Sequence, residues 1–460
     1  MFDALFTTTT EYKKLSHALS GKGACALFGL PASGRAQVYA ALCRQLDKPL
    51  CIVTPGEAEA TRFAADLNTL GIPAAVFPAR DYVLRPIEGT AREYEYRRLA
   101  VLGELVGGRL RAVAVPAEAL TQFTTPKEDF YANTRTLHAG DTLLRDDLLA
   151  ALFGAGYTRR AQVDGPGQFS VRGDIVDIFA PDQKMPVRME FWGDEIDTLH
   201  TFDLTTQRRE DAIDKFYLSP AREVLFGKPA DAAEQLRAFL AKQRGKKKTA
   251  MADCMAADLD LLDGGAVPVN MDKYLAVRYP HPATVLDYFD DPILVAEEPA
   301  SIREADRATA YRRGEELKSL ILDGVLCAGL DNLYADPSYL WSKTGHYRTI
   351  CAENFARSMP DQPLKDIINA PAHTLPAWNG EVAGLLEDLK PLCDAGYTVT
   401  LLAGTDRAAA GLARDLRDKG ILVTTDAAAA PAAGLVQVLA GHLSAGCEFP
   451  FAKYALLTGR

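Results

Sequence analysis

The sequence predicts an α/β protein. A parallel-sheet domain with a phosphate-loop-like first turn is split by a β-rich (α+β) insert and followed by a further α/β domain. Three observations predict this. Apolar strands alternate with helical segments over residues 24–123, the patterning switches to period 2 over 168–201, and a second strand–helix–strand unit begins near residue 397. A chain of 460 residues leads to an expectation of about three domains at roughly 150 residues each.

The first domain opens with the strand ACALFGL, a glycine-bearing turn, and a helix expected from about Gln37. LCIVTP is the next strand, followed by a helix over 57–70 closed by Gly71. AAVFP, a helical stretch over 90–106 ending at Gly107-Gly108, and the strand RAVAVP complete a β-α-β-α order that implies a parallel sheet covered by helices. The insert is expected at 127–218. Ser170, Arg172 and Asp174 alternate there with Val171, Gly173 and Ile175, and Arg188, Glu190 and Trp192 alternate with Val187, Met189 and Phe191. Such patterning marks half-exposed antiparallel strands. Helices return at 229–265, with Arg244-Gly245-Lys246-Lys247-Lys248 expected as a solvated loop. The cluster Pro360, Pro363, Pro371 and Pro376 places a boundary in 345–375. The expected domains are therefore 1–126 with 219–345, the insert 127–218, and 346–460. In the last, YTVTLLAG, ILVTT, VQVLA and AKYALLTG are strands, and 405–418 is a helix capped by Gly420. Ala64, Asp66, Leu67, Gly71 and Ile72 recur in spacing as Ala413, Asp415, Leu416, Gly420 and Ile421. This is the pattern of any βαβ unit, or of two related domains.

Composition excludes several classes. The chain is 48% hydrophobic and 24% charged, so it carries enough apolar material for several cores and is not a disordered chain. Its net charge of -10 argues against a general polyanion binder. The eight cysteines show no C-x-x-C and no zinc spacing, which reads as core thiols in a reducing compartment, and the cytoplasm is the expected location. No signal peptide is expected at the N-terminus. The uncharged stretch Ala427–Cys447 holds Pro431, Gly434, Gln437, Gly441 and His442 and does not read as a membrane span.

Three motifs carry potential chemistry. Gly29-Leu30-Pro31-Ala32-Ser33-Gly34-Arg35-Ala36 follows a strand and precedes a helix, as a phosphate-binding loop does. Against the pattern G-x-x-x-x-G-K-S/T, both glycines are in place, Arg35 replaces the lysine and Ala36 replaces the hydroxyl that holds Mg²⁺. The backbone amides remain available for an anion in this reading, and an ordinary βα turn is the alternative. Ile293-Leu294-Val295-Ala296-Glu297-Glu298-Pro299 is an apolar strand ending in two acids. It is either a degenerate Mg²⁺-holding acidic box or the first turn of a helix, where acids suit the dipole. Arg159, Arg172 and Arg188, with Glu190 and Trp192, make either a protein-binding surface or a solvated sheet face. There is no G-x-S-x-G, no H-E-x-x-H and no dinucleotide fingerprint, so no catalytic residue and no metal site are assigned.

Taken together, these residues resemble a known family. GQFSVRGDIVDIF with VRMEFWGDEIDTLHTFDLTTQR is similar to the second domain shared by the excision-repair helicase UvrB and the bacterial transcription-repair coupling factor (Mfd). LDYFDDPILVAEEPASI resembles that family's acidic box, and GHLSAGCEFPFAKYALLTGR the close of the coupling factor's third domain. Arg35, Ala36 and the lack of a Tyr-rich hairpin after Leu42 favour the coupling factor, whose UvrB-homology region is a degenerate, helicase-like ATPase. The resemblance implies a non-catalytic N-terminal module that recruits UvrA. Arg159, Arg172, Arg188, Glu190 and Trp192 correspond to the UvrA-contacting positions. Trp192 stands where Phe is common, and Ser170 where UvrB has a further arginine. The resemblance also implies that this surface is open when the family's C-terminal domain is absent. ATP, Mg²⁺, RNA polymerase and duplex DNA are expected only at regions beyond Arg460. The alternative is a weak ATP-dependent helicase of UvrB type.

Overall fold

The computed structural model describes residues 3–87, 91–357, 359, 362–378 and 380–459. Pro360, the Thr90 start of the expected helical stretch and Arg460 lie outside the described residues. Strands β1 (Gly23–Phe28), β2 (Leu50–Thr54), β3 (Ala74–Val76) and β4 (Ala112–Pro116) alternate with helices Ala32–Leu46, Glu57–Thr69 and Glu93–Val106. The insert contributes β5 (Arg135–His138), β6 (Thr158–Arg159), β7 (Gln168–Arg172), β8 (Ile175–Phe179), β9 (Val187–Trp192), β10 (Glu195–Phe202), β11 (Arg209–Ala212) and β12 (Lys215–Leu218). After it come β13 (Ile293–Glu297), β14 (Arg348–Glu353) and β15 (Leu364–Asn369). The C-terminal unit holds β16 (His373–Leu375), β17 (Thr398–Leu402), β18 (Val423–Thr424), β19 (Val436–Leu439), β20 (Gly446–Phe449) and β21 (Tyr454–Thr458).

The main sheet is parallel throughout, in the order β15-β1-β14-β13-β2-β4-β3. Helices cover both faces, which is why LCIVT, AVAVP and ILVAE are buried at every position. The expected division at residue 345 falls inside this sheet's strand set. Strand β14 sits between β1 and β13, and β15 closes the sheet on the far side of β1. Pro363 precedes the edge strand β15, and Pro371 lies in the short link from β15 to β16 of the C-terminal sheet, so the change of sheet falls near residue 371, inside the expected 345–375 region but after β14 and β15. The lysine run also differs from expectation. A helix spans Gly245–Asp263, so Lys246–Lys248 form its first turn.

The insert folds as an antiparallel sheet, β11-β10-β9-β8-β7, with the short β6 added parallel to β7. Leu148 and Leu152 of the Arg145–Gly154 helix pack with Phe169, Val176, Met189 and Phe191 on its inner face. The C-terminal sheet runs β16-β20-β21-β17-β19-β18. Its Cys447, Phe449, Tyr454 and Leu456 share one core with Phe6, Tyr12 and the Ala32–Leu46 helix. The Phe6 and Phe449 rings meet edge-on at 5.0 Å.

The internal echo has a physical basis. Gly71 and Gly420 take φ of +78° and +81°, and Ile72 and Ile421 each donate a backbone hydrogen bond to the leucine five residues earlier. This is the glycine-dependent helix stop. The aspartates diverge, because Asp66 is buried and accepts from Ser444 N (2.8 Å) and Ser444 Oγ (2.6 Å), whereas Asp415 is exposed.

Candidate functional site

The phosphate-loop position has a different geometry from a phosphate loop. The helix begins at Ala32 rather than near Gln37, with Pro31 at its N-cap and Arg35 N donating to Pro31 O at 2.9 Å. Proline supplies a fixed φ at the helix entry, and the alanine after it propagates the helix. Ser33 and Gly34 are thus helical and buried, and do not wrap an open loop. Gly29 has φ +89°, and a Cβ there would sit 3.0–3.1 Å from Asn369, Ala370 and Pro371. A Cβ at Gly34 would approach Cys447 Sγ to 2.9 Å, so the C-terminal unit lies directly on this turn.

The two acids of the strand β13 box come to the same place. Arg35 Nε lies 2.9 Å from Glu297 Oε2, Arg35 Nη1 donates to Glu298 Oε1 at 2.8 Å, and Tyr39 Oη donates to Glu297 Oε1 at 2.5 Å. Arg35, Tyr39 and Glu297 are all buried, and Ala36 adds no polar atom. Burial pushes the Glu297 carboxyl above its ordinary value, and Arg35 and Tyr39 pull it back. Glu298 takes φ +53°, a conformation rare outside glycine, fixed here by Arg35 and by Asn354 N at 3.2 Å. Of the seven residues sequence reading named in the two motifs (Gly29, Ser33, Gly34, Arg35, Ala36, Glu297 and Glu298), Arg35, Glu297 and Glu298 form this cluster. Sequence reading missed Tyr39, whose signal is its position one helical turn after Arg35.

On the insert, four of the five expected partner-binding residues share one sheet face. Register places Arg172 opposite Ile175, which in turn lies opposite Glu190, while Ser170, Asp177 and Arg188 form the adjacent row. Arg172 is half-exposed, and its Nη2 donates to Asp177 Oδ2 at 2.5 Å. Arg188 corrects the expectation of an exposed position, being only 8% exposed. Its guanidinium is bidentate to the buried Asp177 (2.7 and 2.9 Å), donates to Gln207 O at 3.1 Å, and stacks on Phe202 at 4.6 Å. The loop between β10 and β11 covers it through Gln207, which strand alternation alone does not reveal. Glu190 is half-buried, paired with Arg209, and accepts from Thr198 Oγ1 at 3.2 Å. Trp192 is 82% exposed, beside a Gly193 turn at φ +62°. An indole that open to water buries apolar area only against a partner.

Arg159 stands apart. It pairs in register with Phe169, an inner-face residue, and lines a separate cleft with Arg160. Asp177, the residue sequence reading missed, was signalled by one carboxylate inside the apolar run Ile175–Phe179, since a charge there is buried only when paired. Among the described residues no group of three or more His, Cys, Asp or Glu is placed to hold a metal ion, and no helix is long and apolar enough to cross a membrane.

Comparison with known proteins supports the resemblance seen in the sequence. Residues 136–224 match the UvrB interaction domain family. The chain is 26% identical over 444 residues to the transcription-repair-coupling factor of Bacillus subtilis (strain 168), covering 94% of this chain and 38% of that protein. It is 24% identical over 445 residues to the coupling factor of Staphylococcus haemolyticus (strain JCSC1435) and 23% over 441 residues to that of Staphylococcus aureus (strain MRSA252), covering 94% of this chain and 37% of each relative. The chain thus spans under two fifths of the length of these relatives. It carries a UvrB interaction domain and resembles the N-terminal region of a transcription-repair coupling factor.

Proposed function

We propose that this chain, a UvrB interaction domain set within a region similar to the N-terminal part of transcription-repair coupling factors, is a non-catalytic recruitment module that binds UvrA. The observation that carries this reading is the face formed by Trp192 and Arg172. An 82%-exposed indole on β9 shares the sheet face with a half-exposed guanidinium on β7 that is held by the buried Asp177. Tryptophan and arginine supply much of the energy of protein interfaces, and an arginine fixed before binding loses less entropy on docking. Arg188 serves this face from beneath, by sharing Asp177 with Arg172. Glu190 and Trp192 continue the same strand face, whereas Arg159 is assigned no part in it.

The absence of catalysis rests on the phosphate-loop position. ATP and Mg²⁺ do not fit the residues present. Arg35 is committed to both acids of the box, position 36 has no hydroxyl, Ala32–Gly34 are helical, and Cys447 packs against Gly34. We assign ATP, Mg²⁺, duplex DNA and RNA polymerase to parts of the full-length protein outside this chain. Its eight free cysteines suit the cytoplasm, where the module would act.

Calorimetry with purified UvrA tests the proposal. Trp192→Ala and Arg172→Ala should each cost about 2 kcal/mol, roughly 30-fold in affinity, at unchanged melting temperature. Parent-like binding by both variants would place the contact elsewhere. ATP hydrolysis above background that is abolished in Gly34→Asp would reinstate the helicase reading.

A further inference from the structure

Two of the eight cysteines meet in the helical layer of the main domain. Cys254 lies on the Gly245–Asp263 helix, among the buried Met251, Met255 and Asp258. Cys327 lies beyond the Pro299–Leu322 helix, after a turn that Gly324 makes at φ +71°. Val325 N and Leu326 N donate back to Leu320 O at 2.9 and 3.1 Å, which turns the chain out of that helix and onto the first one.

Contacts on either side fix where Cys327 lands. Before it, Val325 O accepts from Cys254 Sγ at 3.1 Å. After it, a Cβ on Gly329 would lie 3.2 Å from Lys247 Nζ and 3.3 Å from Met251 Cε, earlier on the same helix. The segment therefore runs back along the helix, and Cys327 falls between Met251 and Cys254. The Cys254 and Cys327 thiols are hydrogen-bond neighbours there. Cys25 and Cys351 also lie on adjacent strands, but their side chains enter cores on opposite faces of the sheet and do not meet.

The two sulfurs differ in access. Cys254 is half-buried, whereas Cys327 is only 8% exposed. Burial and the Cys254 thiol push the Cys327 thiol up to about 11, against the pull of Lys273. The Lys273 ammonium is anchored beside the pair, donating to Cys254 O at 2.6 Å and to Asp258 Oδ2 at 3.0 Å. Cys254 is thus the sulfur a reagent reaches first, and Cys327 is placed to attack it second.

We propose that Cys254 and Cys327 form a reversible redox modification site that reacts with a low-molecular-weight disulfide such as glutathione disulfide. Cys254 loses its proton to solvent and its thiolate attacks one glutathione sulfur. The glutathione S–S bond breaks, and one glutathione leaves as a thiolate that takes up a proton. Cys327 then loses its proton and attacks the Cys254 sulfur, which expels the second glutathione. The two protein thiols are oxidised by two electrons, and glutathione disulfide is reduced to two thiols. In a reducing compartment the dithiol is the resting form. The bridge ties the Gly245–Asp263 helix to the turn after the Pro299–Leu322 helix.

The test incubates the purified, folded chain with glutathione disulfide, then denatures it, alkylates it with N-ethylmaleimide and maps the cysteines by mass spectrometry. Two of the eight cysteines should resist labelling, with Cys254 and Cys327 recovered in one cross-linked peptide, and dithiothreitol should return all eight. Cys327→Ser should stop the reaction after the first step and hold one glutathione on Cys254. Cys254→Ser should leave every remaining cysteine free to label. The parent result decides by itself if either serine variant is unstable. The proposal is overturned if the treated parent labels at all eight cysteines or bridges a different pair. It is equally overturned if the parent retains glutathione on Cys254 without closing the bridge, or closes it only in urea.

Discussion

Arg35→Met keeps a long, unbranched side chain and deletes the charge that neutralises Glu297. The parent pair is almost dry, with the Arg35 and Glu297 side chains 4% and 2% exposed. Removing one partner of such a pair costs about 3–5 kcal/mol, because the other charge is left buried alone. Glu298 is 37% exposed, so its bond to Arg35 adds under about 1 kcal/mol. A relief path exists, since burial already raises the Glu297 carboxyl, and without Arg35 it takes up a proton more readily. A carboxyl raised in the folded state gives its full stability in acid and loses it as pH rises through the folded value. The penalty of Arg35→Met should therefore be larger at about pH 8 than at about pH 5. Replacing Glu297 as well removes the orphan charge, so Arg35→Met/Glu297→Leu should recover most of the loss. Differential scanning calorimetry at the two pH values reads the main-domain transition, where the single variant should melt about 6 °C or more below the parent at the higher pH. A single variant within about 0.5 kcal/mol of the parent, or a double variant as unstable as the single, would refute the description of Arg35 as the counter-ion of a buried acid.

Two further outcomes follow from buried carboxylates. Ser444→Ala removes the 2.6 Å hydroxyl donor to Asp66 across the contact with the C-terminal unit, and should cost about 1–3 kcal/mol, seen as faster proteolysis of that unit. Asp306 is pushed up to about 6 by burial, against the pull of Arg313, Arg303 and Trp341. Its contribution to stability is thus complete in acid and lost as pH rises through about 6. Asp306→Asn mimics the protonated form and should gain on the parent as pH rises from about 5 to about 8, by urea denaturation. An unchanged difference across that range would show that Asp306 titrates as an ordinary carboxyl.

Legibility in the sequence followed the range of the interaction. Strands β1, β2 and β4 were readable because apolar runs, glycines and helix periods are local signals. Arg98 was not, although it is completely buried on the stripe Glu95, Arg98, Leu99 and Leu102. Its carboxylate partner Glu223 is 125 residues away, 2.6 Å from Arg98 Nε, and nothing local announces it. Arg188 was read as exposed for the same reason, since its cover, Gln207, comes from beyond the next strand. The division at residue 345 failed on a different ground, because prolines mark where a chain leaves regular structure and not which sheet it returns to. The acidic box and the degenerate loop were each readable alone. That Arg35 closes onto Glu297 required knowing that β1 and β13 are separated by only one strand, β14.

The late arrival of that intervening strand has a consequence for synthesis. Strand β1 has no neighbour in its sheet until residues 348–369 have been made, because both of its partners are β14 and β15. The insert, by contrast, has all its strands by Leu218 and its contacts are close in sequence. On the ribosome, folding in order of completion would have the β2-β4-β3 ladder and then the insert formed first, with the apolar segment of β1 held unpaired until β14 is made, long after Leu218. The β1 segment is therefore the part of the nascent main domain most dependent on chaperone protection, even though it lies near the N-terminus.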